Sequence, residues 1–160
     1  MRFRRMYSTL LSVSMITIGL FGVGQAAAAD DDALVRILTK AFLAQNFAAY
    51  CAQFNPDIAN TTRGKEGNIS QLVQHIRSDV IEGLSKEDAE IVIRRSADAA
   101  RAGALLAIRR FYQSDLSLQR QEIAAWCTLS IPSDIVEYVQ DHDGQHDQFD
   151  RAIAAAKKAP

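Results

Sequence analysis

Two histidines four residues apart, His142 and His146, are the side chains in this sequence most open to a chemical role. They belong to a series, Ile135, Val139, His142, His146, Phe149, Ile153 and Ala156, whose spacing alternates between four and three residues. That is the period of one helical face, on which residues one turn apart are neighbours and two imidazoles can reach one ion. Asp141, Asp143 and Asp147 flank them, and residues 121–150 hold seven acids (with Glu122, Asp134, Glu137 and Asp150) and no lysine or arginine. Such a run attracts cations and raises histidine pKa values.

Three readings of this segment compete. In the first, His142, His146 and Asp143 bind a divalent ion such as zinc or copper, with another aspartate or His75 as a further ligand. Two histidines fall short of a full ligand set, and no second motif supplies the rest. In the second, the histidines titrate at mildly acidic pH and alter packing or assembly. If burial outweighs the aspartates, their folded-state pKa values are lowered and the unfolded chain binds more protons. Stability then falls as pH drops through about 6.5, and a loosened final helix exposes Val139, Phe149 and Ile153. In the third, Gly144 ends the helix and Asp141-His142-Asp143-Gly144 is a polar surface turn. Glycine costs about 1 kcal/mol inside a helix, and Asp-Gly favours turns. A calcium loop is excluded, because Gly144 sits at the wrong offset from Asp141 and no glutamate follows at the twelfth position.

Other chemistry is not signalled. There is no glycine-rich phosphate loop, no Gly-x-Ser-x-Gly elbow, no Cys-x-x-Cys-His and no His-Glu-x-x-His. The two cysteines, Cys51 and Cys127, are too far apart for a redox pair, and their even number suggests one structural disulfide in an oxidising compartment. Trp126 is then expected to be at least partly buried beside that bond.

The compartment follows from the first residues. Met1-Arg2-Phe3-Arg4-Arg5 is basic, residues 9–24 are uncharged and largely apolar, and Gln25-Ala26-Ala27-Ala28-Ala29 precedes three aspartates. These are the three parts of a secretory signal, with cleavage expected after Ala29 and Ala27 and Ala29 as the small residues. The apolar run is shorter than the roughly 20 residues of a membrane-spanning helix, although an uncleaved anchor is the rival. A twin-arginine signal lacks its flanking residues. Residues 1–29 contain three of the 18 basic residues and none of the 19 acidic ones, which leaves 15 against 19, a net charge of −4, for residues 30–160. This balance argues against nucleic acid as a partner. About 130 residues suffice for one domain with a real core.

The elements that must position these residues read as helices throughout. Prolines occur only at Pro56, Pro132 and Pro160, alanine is abundant, and no stretch alternates long enough for a sheet. The first helix spans about 31–54, with a kink or a division into two short helices near Gln45-Asn46 where the apolar phase slips. A polar surface loop, 55–67, follows. The second helix runs over about 70–83 and stops at Gly83. Ser85-Lys86-Glu87-Asp88 is close to a capping box and opens the longest helix, about 86–113. Its stripe of Ile93, Ala97, Ala100, Ala104, Ile108 and Phe111 marks it as the central helix. On its other face Glu90, Arg94, Asp98 and Arg101 read as a solvated row of ion pairs. A fourth helix covers about 118–129, Pro132 breaks the chain, and Ser133 or Asp134 caps a last helix reaching about Lys157.

The expectation is therefore an all-α bundle of about five helices, stapled by one disulfide and preceded by a signal peptide. Small size, export, helices and a single disulfide resemble the architecture of acid-activated periplasmic chaperones. No motif of that family aligns residue by residue, and the cysteine spacing here is wider, so no site is transferred. The chain reads as a non-enzymatic periplasmic or secreted protein that binds a protein or peptide partner in the cell envelope, without a cofactor. A metal carrier built on the final helix and a structural subunit of an envelope complex are the alternatives.

Overall fold

The computed structural model describes residues 25–65, 67–144 and 146–158, without the side chains of residues 25–32, Asp143 and His146. Residues 1–24, which hold the basic start and apolar run expected of an export signal, lie outside the described residues. The described chain comprises α1 (Gln25–Cys51), α2 (Ile58–Thr61), a short ribbon of β1 (Arg63–Gly64) and β2 (Gly67–Asn68), α3 (Ile69–Gly83), α4 (Lys86–Arg109), α5 (Leu116–Ala125), a π-helical turn (Trp126–Ser130), α6 (Ile131–Gly144) and α7 (His146–Ala156). The class is all-α, as expected, and the Cys51–Cys127 disulfide is formed. No described helix is long and apolar enough to cross a membrane.

The central helix is α1, not α4. It packs against α3, α4, α6 and α7, so its apolar residues need not share one face. Leu34 and Leu38 are buried early in the helix and Ala44, Ala48 and Cys51 later, around a wide arc. The phase slip near Gln45-Asn46 therefore does not divide the segment into two helices: α1 is continuous and changes partners along its length. An amphipathic reading assumes one narrow apolar face, and a helix with four neighbours buries a wider arc, leaving Arg36, Lys40 and Ala49 exposed.

The expected surface loop after α1 is partly internal. Ile58 and Thr62 are fully buried, and the Thr62 hydroxyl donates to the Ile58 carbonyl at 2.6 Å. The ribbon pairs Arg63 with Asn68 and Gly64 with Gly67. Gly67 adopts φ +96°, where a side chain is strained, and a Cβ there would overlap the Gln71 side chain. That side chain is in use: Gln71 Oε1 accepts from the Asn68 amide while Asn68 Oδ1 accepts from Ser70 and Gln71, a full capping box at the start of α3. At the other end of α3 a Cβ on Gly83 would overlap Ile153 Cγ2, so the absence of a side chain lets α7 lie against α3.

Ser85 caps α4 as expected, accepting from the Asp88 amide and donating to its carboxylate at 2.6 Å. The deepest line on α4 is Ala89, Val92, Ser96 and Ala100, so of the expected stripe Ala100 is buried while Ile93, Ala97, Ala104, Ile108 and Phe111 are only half-buried. Ser96 carries the difference. Its hydroxyl is fully buried and donates to the Val92 carbonyl at 2.8 Å and to the Val35 carbonyl of α1 at 3.3 Å. A satisfied hydroxyl is cheap to bury, whereas a hydropathy pattern counts it as polar. α4 also stops at Arg109, short of the expected Gln113, and Asp115 starts α5 by accepting from the Ser117 and Leu118 amides.

Pro132 does not break the chain. The helical path continues from α5 through the π-helical turn into α6, with Pro132 as the second residue of α6. Ile131 donates to the Trp126 carbonyl, five residues back. Widening the turn relieves the clash of the proline ring with the carbonyl four residues earlier, and the missing proline N–H falls where the hydrogen-bond ladder is already changing. Ser133 therefore caps nothing; its hydroxyl donates back to the Leu129 carbonyl.

Candidate functional site

α6 is described to Gly144 and α7 from His146, with Gln145 between them outside the described residues. The polar surface turn is not formed. Residues 141–144 are helical, and His142 is only 8% exposed, with its ring 6.4 Å from Tyr138 and 6.0 Å from Phe149. The side chains of Asp143 and His146 lie outside the described residues. His75 is on the exposed side of α3. Among the described residues no three His, Cys, Asp or Glu side chains gather as a metal site would require.

His142 instead lines a cavity of about 130 Å³ with Ile37 and Lys40 of α1, Tyr138 and Asp141 of α6, and Gln148 and Phe149 of α7. A cation from α1, Lys40, thus shares the space with Asp141 of α6, which the run of acids in the sequence does not reveal. Tyr138 is the second polar ring of this cavity. Its hydroxyl is the buried side-chain oxygen without a hydrogen-bond partner among the described residues, and burial pushes its pKa well above the ordinary tyrosine value. An unsatisfied buried hydroxyl lowers stability. Tyr138→Phe is accordingly expected to leave the unfolding free energy unchanged or raise it by about 1 kcal/mol, measured by urea denaturation. A clear loss would show that the hydroxyl has a partner.

The second feature was not legible as a site. Among the described residues eight large hydrophobic residues are exposed, and six of them, Ile91, Leu105, Leu106, Tyr112, Leu116 and Leu118, come from α4, α5 and the turn between them. At the corner where α4 ends and α5 begins, five of these side chains are between 45% and 76% exposed. The expected row of ion pairs on α4 is present only in part: Arg101 meets Asp98 at 3.6 Å, with both side chains mostly in solvent, a pairing of little energy. Leu105 lies one turn beyond Arg101 on that same outer face, and Arg109 one turn further. The signal was present as Leu105-Leu106, but a helical stripe absorbs leucines into a core unless their phase is tested against the rest.

Behind the corner stands an aromatic cluster. Trp126 is 8% exposed, as expected beside the disulfide, and its ring lies 5.2 Å from both Phe47 and Phe111. The Arg110 guanidinium lies over Phe111 at 4.8 Å and over Trp126 at 4.9 Å, a cation–π arrangement that fixes the end of α4. Tyr50, whose pKa is raised by burial and by Tyr112, joins the end of α1 to the same corner. The corner is therefore held by a rigid support: the disulfide, the aromatic cluster and the cap of α5.

No protein-family model, no curated protein and no solved structure matches this chain.

Proposed function

We propose that this chain is an exported, non-enzymatic binding protein of the cell envelope, and that its contact surface is the corner between α4 and α5. The observation supporting this is the exposure of Leu105, Leu106, Tyr112, Leu116 and Leu118 together. Single exposed leucines are ordinary, but five large apolar side chains exposed within residues 105–118 of a small domain mark a place where something binds. Export rests on the basic and apolar start of the sequence, and it agrees with a disulfide in the folded domain. Binding rather than turnover accords with both cysteines being joined in that disulfide, so that neither serves as a nucleophile.

Site-directed photocrosslinking in the intact host tests this reading. A photoreactive phenylalanine analogue at Leu105 or Leu116 is expected to give abundant adducts, identified by mass spectrometry, whereas one at exposed Glu137 on α6 gives few. Equal yields at the three positions, or none at the corner, would remove the corner from the argument.

A further inference from the structure

We infer that the surface met by the α4–α5 corner is an anionic lipid bilayer, an inference that rests on the corner being the contact surface. The first ground is charge. Residues 91–120 carry six arginines, Arg94, Arg95, Arg101, Arg109, Arg110 and Arg120, against two acids, while the rest of residues 30–160 has nine basic residues against seventeen acidic. A net-negative chain thus concentrates its positive charge on the stretch that exposes its hydrophobic side chains. Both acids of that stretch are engaged: Asp98 with Arg101, and Asp115 as the cap of α5.

The second ground is shape. Recognition of a helix or peptide uses a groove whose walls match the ligand. The cavity beside the corner takes in only Leu116 of the exposed hydrophobics, together with Phe54 and Ile123 and the polar Gln53, Gln119 and Arg120. The other apolar side chains, Leu105, Leu106, Tyr112 and Leu118, are 45% to 66% exposed. A bilayer interface accepts protruding leucines and a tyrosine without shape complementarity, while arginines beside them meet lipid phosphates. The order along the outer face of α4, Arg101, Leu105 and Arg109, places a leucine between two guanidinium groups one turn away on each side. This pattern suits a shallow insertion rather than a span.

Sedimentation of the isolated protein with vesicles tests the inference. Wild type is expected to sediment with phosphatidylcholine vesicles containing phosphatidylglycerol, to leave vesicles of phosphatidylcholine alone in solution, and to lose binding as salt rises. Leu105→Ser/Leu116→Ser and Arg109→Gln/Arg120→Gln should each weaken partitioning about tenfold or more, with melting temperatures close to wild type because all four side chains are exposed. Binding indifferent to lipid charge, or absent, overturns the inference. If vesicles fail while crosslinks at Leu105 and Leu116 yield protein adducts, the corner remains a binding surface with a protein partner; if neither appears, both readings fail. Sedimentation without vesicles, rising with concentration, would point to a second copy of the chain and also overturn the lipid assignment.

Discussion

Replacing Cys51 and Cys127 together by alanine is expected to lower the unfolding free energy by about 4 kcal/mol. The bond closes a loop between residues 76 apart in sequence, and a cross-link over that length removes chain entropy from the unfolded state on this scale. Small domains are stable by about 5–15 kcal/mol in total, so the variant should keep its fold at low temperature and melt far earlier. Location adds to the effect. Cys51 is the last residue of α1 and Cys127 lies in the π-helical turn, both fully buried. The bond therefore ties the central helix to the one irregular turn in the long helical path from α5 to α6. The single tryptophan, Trp126, is the neighbour of Cys127 and packs on Phe47 of α1, so its fluorescence reports the same junction. Urea unfolding followed by that signal, with and without reductant, is the measurement. Reduced wild type should approach the double variant, and coincident curves for oxidised and reduced protein would show that the bond contributes nothing.

What the sequence made legible was local. Ser85 and the two cysteines act through rules that involve a few neighbouring residues or one covalent bond, and each stands where those rules place it, whereas Gly83 ends α3 without a left-handed φ and matters for its close approach to Ile153 of α7. The buried positions Ile135, Val139, His142 and Phe149 also followed from a period alone. The failures share a different cause. The division expected at Gln45-Asn46, the central role given to the 86–113 helix and the break at Pro132 were all judged from one segment in isolation. α1 tolerates a wandering apolar face because four helices surround it. Ser96 enters the core because the Val35 carbonyl of another helix is there to receive it. Pro132 remains helical because the turn before it is widened.

The site was less legible than the fold, for a related reason. The histidines drew the reading because chemistry is tied to residue type; the structure places His142 in a ring-lined cavity, and the His146 side chain lies outside the described residues. The exposed corner depends instead on which leucines fail to reach the core, and that is decided by the docking of α4 on α1. With the buried line at Ala89, Val92, Ser96 and Ala100, Leu105 and Leu106 are turned outward, although their helix carries enough apolar residues elsewhere to hide the fact.

Phe149→Ala is expected to cost about 3–4 kcal/mol, close to the disulfide in effect but different in mechanism. Phe149 is among the largest fully buried side chains and projects from α7, a helix of 11 residues. α7 is held by the contacts its apolar face makes with the bundle. Phe149 supplies the largest of them, against His142 of α6, with Ala152 buried beside it and Ile153 against Gly83 of α3. Truncation removes apolar burial and leaves a cavity that Gly83 and α1 have little freedom to fill. Exposed Ile81→Ala on α3 serves as the control, expected to stay within about 0.5 kcal/mol of wild type. Hydrogen exchange separates the local from the global effect: in Phe149→Ala the amides of α7 should lose protection first while those of α1 and α4 retain it. A loss below about 1 kcal/mol in Phe149→Ala, or exchange that accelerates uniformly, would mean that α7 is not held by this side chain. The outcome also bears on His142, because the imidazole stays buried only while the Phe149 ring covers it.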